Sequence, residues 1–380
     1  MNHSASKLSI IASYADCESV PIVEHAAADT STVILEKKFA PVTVLVPAYN
    51  EESTLAKTLS SLERQSTPAE KVVVVDDFST DRTGDIARSY NVAVLRPPKN
   101  TGSKAGAQNY ALPFVNSKYT IAIDADTSLD DNAIQKMVEF MEANPDTAAA
   151  CSFVLPKNIE TLWERGRFVE YIYIFPFYKR VQEWYGKPLI CSGCFSIYRT
   201  SELKAAGGWS TRTMAEDMDL TWTLYENGKI VRYNHETYCY PIEPESFEMM
   251  CKQLKRWSHG WLQNVRLHGR KLMKIPVIRE EIIAGLSDAL FGGILVVVVT
   301  PLIAYLSGNP VYYGYGIGTD AALVAIPTLL KARKLKLVRK VLGSLPCFFV
   351  LRYVNTFFFY KALFSEFFLR RTLTKYEKGH

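Results

Sequence analysis

The feature that most constrains the fold is a strand–loop–helix alternation that begins at Pro41. Four short apolar runs predict strands, at residues 42–47, 71–75, 92–95 and 119–123. Segments with helical periodicity lie between them, at residues 53–65, 82–90 and 103–115. This alternation predicts an α/β fold with a mostly parallel sheet, and ligands of such sheets bind beyond the carboxyl ends of the strands.

Polar clusters follow three of these strands. They are Tyr49 to Glu51, Asp76-Asp77 and Asp124-Ala125-Asp126. Two carboxylates one residue apart can address a hard cation such as Mg²⁺ or Mn²⁺ together with a ribose, although aspartates are also common in turns. The clusters predict a site for a cation and a phosphorylated ligand. The sequence has no G-x-G-x-x-G and no P-loop, which argues against a dinucleotide-binding or P-loop fold.

Two further segments have polar residues next to predicted helices. Lys104 lies among small residues near a helix start, and that arrangement suits a diphosphate. Glu216 and Asp217 follow Gly207-Gly208-Trp209 and precede a helix. Asp217 could act as a general base, but taken alone the two acids are better explained as N-cap residues.

A third segment lies on a longer predicted helix. Gln253, Arg256 and Trp257 are spaced so that they share one helical face. An arginine suits a diphosphate, and the indole suits the apolar face of a sugar. Taken alone, the same spacing is explained by an ordinary amphipathic helix.

Five motifs occur in the order that is typical of family 2 glycosyltransferases. They are Pro47-x-Tyr49-Asn50-Glu51, Asp76-Asp77-x-Ser79-Thr80-Asp81, Asp124-x-Asp126, Glu216-Asp217 and Gln253-x-x-Arg256-Trp257. The chain resembles the membrane-bound branch of that family, which has a Q-x-x-R-W motif and includes cellulose, chitin, hyaluronan and poly-N-acetylglucosamine synthases. The resemblance covers about residues 41–270. It implies a GT-A fold, an activated nucleotide-sugar donor and an inverting transfer.

The resemblance also implies roles for individual residues. The nucleotide sugar would be bound by Pro47, Tyr49, Glu51, Asp76, Asp77, Lys104 and Asp124. Within this set, the two aspartates after the second strand would lie at the nucleobase, and Asp124 at the ribose and diphosphate. Asp126 would hold Mg²⁺ or Mn²⁺, and Asp217, next to Glu216, would deprotonate the acceptor hydroxyl. The donor diphosphate and the acceptor sugar would be lined by Gln253, Arg256 and Trp257.

Three functions fit these motifs. The first is synthesis of a growing β-linked polysaccharide from UDP-glucose or UDP-N-acetylglucosamine. No membrane span is predicted before the catalytic domain, so export of a polymer could require an oligomer or a partner. The second is transfer to a lipid acceptor, because ceramide glucosyltransferases share a similar motif. The third, a non-catalytic sugar-binding membrane protein, is disfavoured because Asp126, Asp217 and Arg256 are all present.

The net charge and the cysteine content argue against nucleic acid as a partner and against disulfide or zinc sites. The net charge is +5 and the isoelectric point is about 8.6, with lysines and arginines scattered through residues 1–280. Nucleic-acid-binding proteins usually have a denser basic stripe, whereas this balance suits a domain beside an anionic membrane. The seven cysteines include one isolated C-x-x-C, at Cys191 and Cys194. An odd number with no second pair predicts reduced cytosolic thiols rather than disulfides or zinc.

The sequence divides into a polar leader, a catalytic domain and a membrane region with a basic tail. Their predicted ranges are 1–40, 41–280 and 281–380. Two stretches combine aromatic and basic residues, at 168–185 and 257–274. Belts of tyrosine and tryptophan beside lysine and arginine are typical of membrane interfaces, so we expect interfacial helices there, although core packing also fits.

Three apolar runs follow, at residues 282–306, 311–330 and 345–369. The first two are predicted to cross the membrane. The third is predicted to be re-entrant or interfacial, because it contains Arg352, Lys361 and Glu366, which are costly at the bilayer centre. The positive-inside rule places both basic segments in the cytosol. The sequence therefore predicts an integral membrane protein with a cytosolic catalytic domain.

Overall fold

The computed structural model describes residues 39–175, 179–287 and 295–373. Except for its last two residues, the predicted leader lies outside these ranges. The strands are Ala40–Ala48 (β1), Ala69–Asp76 (β2), Ala93–Leu95 (β3), Tyr119–Ile123 (β4), Ser128–Leu129 (β5), Thr147–Val154 (β6), Phe195–Arg199 (β7) and Ile230–Tyr240 (β8). In the described residues they form one sheet in the order β3-β2-β1-β4-β7-β6-β8-β5.

Helices connect and follow these strands. Within the described ranges they are Leu55–Glu63 (α1), Thr83–Arg88 (α2), Lys104–Ala111 (α3), Ala133–Ala143 (α4), Leu162–Tyr173 (α5), Lys179–Trp184 (α6), Thr200–Ala205 (α7), Glu216–Glu226 (α8), Phe247–Leu272 (α9), Pro276–Ser287 (α10), Thr300–Ser307 (α11), Val311–Lys334 (α12) and Val338–Leu363 (α13). The predicted strands and helices up to residue 123 are confirmed as β1 to β4 and α1 to α3.

The first half of the sheet is parallel, as predicted. Leu45 of β1 pairs with Val73 of β2 and with Ala122 of β4, and all three side chains are buried. Strands buried on both faces are typical of parallel sheets with helical crossovers. Ala48 pairs with Asp76 at the last position of β1 and β2. The loops after these strands therefore lie side by side at the carboxyl edge.

The second half differs from the prediction, because the sheet is mixed. Strand β7 runs antiparallel to β4, with Ile123 opposite Phe195. It also runs antiparallel to β6, which in turn pairs parallel with β8. Because β7 begins where β4 ends, the C-S-G-C loop at residues 191–194 lies at the same edge as Asp124. The Asp124 backbone N–H donates to the Cys194 carbonyl at 3.3 Å.

The C-terminal helices α12 and α13 pack on the part of the chain that precedes them. Phe168 of α5 and Phe348 of α13 belong to one buried apolar cluster. Met250 and Leu254 of α9 form a second cluster with Leu351 of α13. The two stretches predicted as interfacial thus fall on α5, α6 and α9, with residues 176–178 outside the described residues. Helices α5 and α9 pack against the same C-terminal helix.

Among the described residues, one helix is long and apolar enough to cross a membrane, the continuous helical segment Val338–Phe368. It contains most of the run that the sequence predicted as re-entrant. Residues 288–294 of the first predicted span are outside the described ranges, and α12, which holds the second, does not meet the same criteria. Arg352 is one of the charged residues because of which a membrane crossing was not predicted in this run. It pairs with Asp320 of α12 at 2.6 Å. Pairing lowers the cost of such a charge in an apolar medium.

Candidate active site

The loop after β1 presents one exposed side chain from a buried framework. Pro47 is half-buried within β1, and Tyr49 is exposed. Asn50 has a φ of 54°, and its side chain accepts from the Thr80 N–H at 2.9 Å. The buried Glu51 carboxylate accepts from the Thr54 hydroxyl at 2.7 Å. Among the predicted residues of this loop, Tyr49 is the one turned most fully to solvent.

The loop after β2 holds both predicted nucleobase aspartates in hydrogen bonds. Asp76 is fully buried, pairs with Arg96, and accepts from the Ser79 N–H at 3.0 Å. Asp77 accepts from the Thr101 N–H at 2.8 Å and from its hydroxyl at 2.9 Å. Burial raises the pKa of Asp77, and the hydrogen bonds from Thr101 oppose part of that rise. The two carboxylates therefore join the loop after β2 to the loop before α3.

Lys104 lies at the centre of a charged cluster at the carboxyl edge. Its ammonium pairs with Asp124, lies 3.6 Å from Glu216 Oε1, and donates to the Gly193 carbonyl at 3.1 Å. Burial alone would lower the pKa of Lys104, but Asp124 and Glu216 outweigh it and raise the pKa. Burial raises the pKa of Glu216, and Lys104 counteracts this. Three residues predicted separately along the sequence are thus brought together.

Asp217 is held in the first turn of α8. Its Oδ2 accepts from the Gly193 N–H at 3.0 Å, and its Oδ1 accepts from the Met218 N–H at 2.8 Å. The N-cap residue is Ala215, without a side-chain capping bond. The capping explanation for Glu216 and Asp217 therefore does not describe their position, because both lie inside the helix.

Gly193 contacts both Lys104 and Asp217, and the sequence analysis did not identify it. A Cβ at this position would lie 2.6 Å from the Lys104 ammonium and 3.5 Å from Asp217 Oδ2. The two cysteines that flank it, Cys191 and Cys194, carry free thiols. A residue without a side chain lets the loop backbone bond both Lys104 and Asp217.

The Q-x-x-R-W residues lie on α9 against α5. Gln253 accepts from Arg167 of α5 at 2.6 Å, and the same guanidinium lies 4.5 Å from the centre of the Trp257 ring. Trp257 keeps 37% of its surface exposed. Burial raises the pKa of Glu216, and the charge of Arg256 opposes that rise, though less than Lys104 does. Arg256 therefore acts on the Lys104 cluster. Arg167 was not predicted, since no spacing pattern includes it.

The two aspartates after β4 have different surroundings. The Asp124 side chain is 33% exposed and paired with Lys104. Asp126 is buried, and its Oδ1 accepts from the Thr127 hydroxyl at 3.1 Å. The pKa of Glu243 is raised to about 7, mainly by burial; Arg167 opposes the rise, and the charge of Asp126 adds to it. Asp126 therefore lies within electrostatic range of a second buried carboxylate.

These carboxylates fit a divalent metal that takes part of its coordination from substrate. Within the described residues, no group of three or more His, Cys, Asp or Glu side chains could hold a metal ion. Mg²⁺ is commonly bound by one or two carboxylates together with substrate phosphates and water. The oxygen donors of Asp124 and Asp126 match that kind of site.

A cavity of about 190 Å³ opens beside Lys104. It is lined by Thr101, Gly102, Ser103, Lys104, Ala105, Ser210, Thr211, Thr213, Met214 and Glu216. The Ser103 hydroxyl caps α3 by accepting from the Gly106 N–H at 3.1 Å. The cavity thus joins the start of α3 to the loop before α8.

A protein-family model and curated bacterial synthases match part of this sequence. The sequence model of Glycosyl transferase family 2 matches residues 43–206. A poly-β-1,6-N-acetyl-D-glucosamine synthase of Staphylococcus epidermidis is 29% identical over 223 residues, which are 58% of this chain and 54% of that protein. The synthase of Staphylococcus aureus strain COL is 26% identical over 222 residues, with the same coverage. The chain spans about half the length of these curated relatives.

The fold is also found in a solved enzyme. The mannosyltransferase PcManGT from Pyrobaculum calidifontis, solved in complex with GDP-Man and Mn²⁺, has a TM-score of 0.57 and 18% identity. The match covers 86% of this chain and 88% of that chain. The fold is a GT-A-like α/β fold with a mixed sheet. The predicted resemblance to family 2 glycosyltransferases is confirmed for the part of the chain that the family model matches, residues 43–206.

Proposed function

We propose that this chain is an inverting glycosyltransferase that moves N-acetylglucosamine from UDP-N-acetylglucosamine to a growing β-linked polysaccharide. The observation that carries the proposal is the cluster at the carboxyl edge, in which Lys104 contacts Asp124, Glu216 and the Gly193 carbonyl. The printed names of the curated relatives support the choice of sugar and of polymer. The position of Asp217 beside this cluster supports a transfer reaction.

The donor diphosphate would bind at Lys104. In the free chain this ammonium balances Asp124 and Glu216, and its Nζ also contacts a backbone carbonyl. A diphosphate brings negative charge to the same place, where Lys104 and Arg256 can stabilise it. Asp126 and Asp124 would hold Mg²⁺ or Mn²⁺, which supplies further positive charge opposite the departing diphosphate when it is bound.

Asp217 would accept the proton of the attacking hydroxyl. Two backbone N–H groups, from Gly193 and Met218, fix its carboxylate at 3.0 and 2.8 Å. A base in a fixed position near the acceptor hydroxyl favours attack as the proton leaves. A single displacement inverts the anomeric carbon, so an α-linked donor gives a β-linkage. No second carboxylate is needed as a covalent nucleophile, in contrast to retaining glycosidases.

Trp257 would carry the acceptor sugar. Its ring is partly exposed, on α9, one residue from Arg256. An aromatic face can hold the apolar face of a sugar while the neighbouring arginine acts on the diphosphate. Tyr49, the exposed residue after β1, would face the donor.

We also propose that the chain is membrane-bound with its catalytic domain in the cytosol. The segment Val338–Phe368 supports this, because it has the length and the apolar composition of a span. Its packing on α5 and α9 supports a catalytic domain that lies against the membrane surface.

The test is the fate of labelled sugar. Membranes that contain the full chain are incubated with Mg²⁺ or Mn²⁺ and labelled UDP-N-acetylglucosamine or UDP-glucose. Polymer, lipid and free sugar are then separated. We expect label from UDP-N-acetylglucosamine in a polymer that a matching β-glycosidase degrades. Label only in a lipid that carries one sugar would contradict polymer synthesis, and a preference for UDP-glucose would contradict the proposed donor.

A further inference from the structure

A buried guanidinium lies beneath the exposed ring of Trp257. Arg167 of α5 has no exposed side-chain surface. Its Cζ lies 4.5 Å from the centre of the Trp257 ring, and its Nη2 donates to Gln253 at 2.6 Å. One side chain from another helix therefore contacts two of the three Q-x-x-R-W residues.

Two acidic side chains hold this guanidinium in place. Arg167 Nη1 pairs with Glu170 one turn later on α5. Arg167 Nε faces Glu243 Oε2 at 3.5 Å, and the Glu243 side chain is 3% exposed. Glu243 Oε1 accepts from the Tyr171 hydroxyl at 2.7 Å. The guanidinium is thus held on one side by acids and presents its plane and one N–H pair to α9.

The pairing with Glu243 is incomplete. Arg167 Nε and Glu243 Oε2 are both buried and have no hydrogen-bond partner in the part of the chain that the structure describes. Leaving two such atoms without hydrogen bonds in a buried site costs stability. On its other side the same guanidinium donates to Gln253 at 2.6 Å and lies 4.5 Å from the centre of the Trp257 ring.

We infer that Arg167 is a positioning residue for the acceptor site and that, held by Glu243, it fixes Trp257 and Gln253 for an acceptor sugar. This inference rests on the proposed function, and it names the chemistry of the acceptor as a β-linked N-acetylglucosamine oligosaccharide. Arg167 is fully buried, so it acts through Trp257 rather than by touching the sugar. A guanidinium against one face of an indole restricts the ring while the edge and the other face remain available.

The matched pair of variants is Arg167→Lys and Arg165→Lys. A lysine keeps the charge but cannot lie flat against Trp257 and donate to Gln253 at the same time. Arg165 lies on the same helix, but it donates to Ser344 Oγ at 3.3 Å and bonds the Gly343 carbonyl on α13. It therefore controls for the loss of an arginine from α5 without loss of the contacts to α9.

The readouts are two affinities of the full chain in detergent. One is for a β-linked N-acetylglucosamine pentasaccharide in the presence of UDP, and the other is for UDP alone. We expect Arg167→Lys to weaken pentasaccharide binding about tenfold and to leave UDP binding unchanged. Arg165→Lys should change neither affinity. Equal pentasaccharide affinities for the two variants, or a parallel loss of UDP affinity in Arg167→Lys, would overturn the inference.

Two further variants keep the test decisive if Arg167→Lys does not fold. Glu243→Gln retains an acceptor for the Tyr171 hydroxyl but removes the charge that holds Arg167, so pentasaccharide binding should weaken while UDP binding stays. In a Trp257→Leu background the same substitution should have little further effect, because contacting residues are not additive. A full additional loss in that background would contradict action through Trp257.

The inference and the proposed function fail separately. If the wild-type chain binds the pentasaccharide, Arg167→Lys weakens that binding, and no labelled sugar is transferred, the proposed function is wrong and the positioning role stands. If sugar is transferred while Arg167→Lys binds the pentasaccharide normally, the positioning role is wrong. A wild-type chain that does not bind the pentasaccharide also overturns the inference.

Discussion

Carboxylates at the ends of β2 and β4, the two strands that flank β1, are held in opposite ways. Asp76 and Asp77, after β2, are buried and bonded by Arg96, Ser79 and Thr101. Asp124, after β4, keeps a third of its side chain exposed and pairs with one ammonium group. The end of β2 is thus completed by the protein itself, whereas the end of β4 has charges that a ligand can replace. Under the proposed function the reaction takes place at the end of β4, and we predict that the end of β2 mainly stabilises the fold around it.

The largest effect on sugar transfer should come from replacing the proposed base, Asp217. We expect Asp217→Asn to lower sugar transfer by about 10²–10⁴-fold, because the amide cannot accept the proton. In the wild type the Gly193 N–H donates to Oδ2 and the Met218 N–H to Oδ1, so the single amide oxygen of asparagine can accept from one of the two. UDP binding, measured by calorimetry, should stay within about twofold of the wild type. A variant that retains full turnover would assign the base to another residue.

The second effect concerns the metal. Asp126→Ala or an excess of chelator should lower transfer by at least about a hundredfold, because the charge opposite the diphosphate is lost. Asp131→Ala is the control, since its exposed carboxylate lies 3.5 Å from Arg64 at the surface. Full transfer in chelator would show that Lys104 and Arg256 suffice without a metal.

The third effect tests whether the end of β2 is structural. Asp76→Asn should lower the free energy of unfolding by about 2 kcal/mol, because it weakens a buried pairing with the partly exposed Arg96. Asp131→Asn at the surface should change it by less than about 0.5 kcal/mol. Denaturant unfolding of both variants gives the comparison. If Asp76→Asn abolishes transfer at unchanged stability, Asp76 has a direct role in the reaction.

The smallest effect is a pH dependence at Asp77. Burial raises the pKa of Asp77, so the folded chain binds its proton more tightly than the unfolded chain does. The contribution of Asp77 to stability is therefore fully present at low pH and is lost as the pH rises through the folded-state pKa. Asp77→Asn removes this loss. As the pH rises above the ordinary pKa of an aspartate, the wild type should lose stability relative to the variant, and the opposite difference would contradict the assigned direction.

The sequence predicts the first half of the fold well because its signals are local. Each of β1 to β4 is a short apolar run, and the polar residues that follow meet at one edge by the geometry of parallel strands. Lys104 begins α3 and Asp124 follows β4, so both lie at this edge. Glu216 joins them because α8 also begins there, and the order of the motifs placed Glu216 in the same predicted site.

The rest depends on contacts between distant residues. Nothing local shows that β7 runs antiparallel to β4, and that direction brings Gly193 to Lys104 and Asp217. Arg167 is one of 44 lysines and arginines in the sequence, and Glu243, which lies 3.5 Å from it, is in the loop between β8 and α9. Likewise, a hydropathy pattern treats Arg352 as unfavourable in a membrane span. The ion pair between Arg352 and Asp320, which lowers that penalty, is seen only in the folded structure.

The anomeric configuration of the product tests the central claim most directly. The full chain is supplied with α-linked UDP-N-acetylglucosamine, the divalent metal and a β-linked N-acetylglucosamine oligosaccharide, and the new linkage is assigned by NMR. A β-linkage that forms with the wild type and disappears with Asp217→Asn is the predicted result. An α-linkage, or a β-linkage that Asp217→Asn still forms at the wild-type rate, would contradict a single displacement assisted by Asp217 at this site.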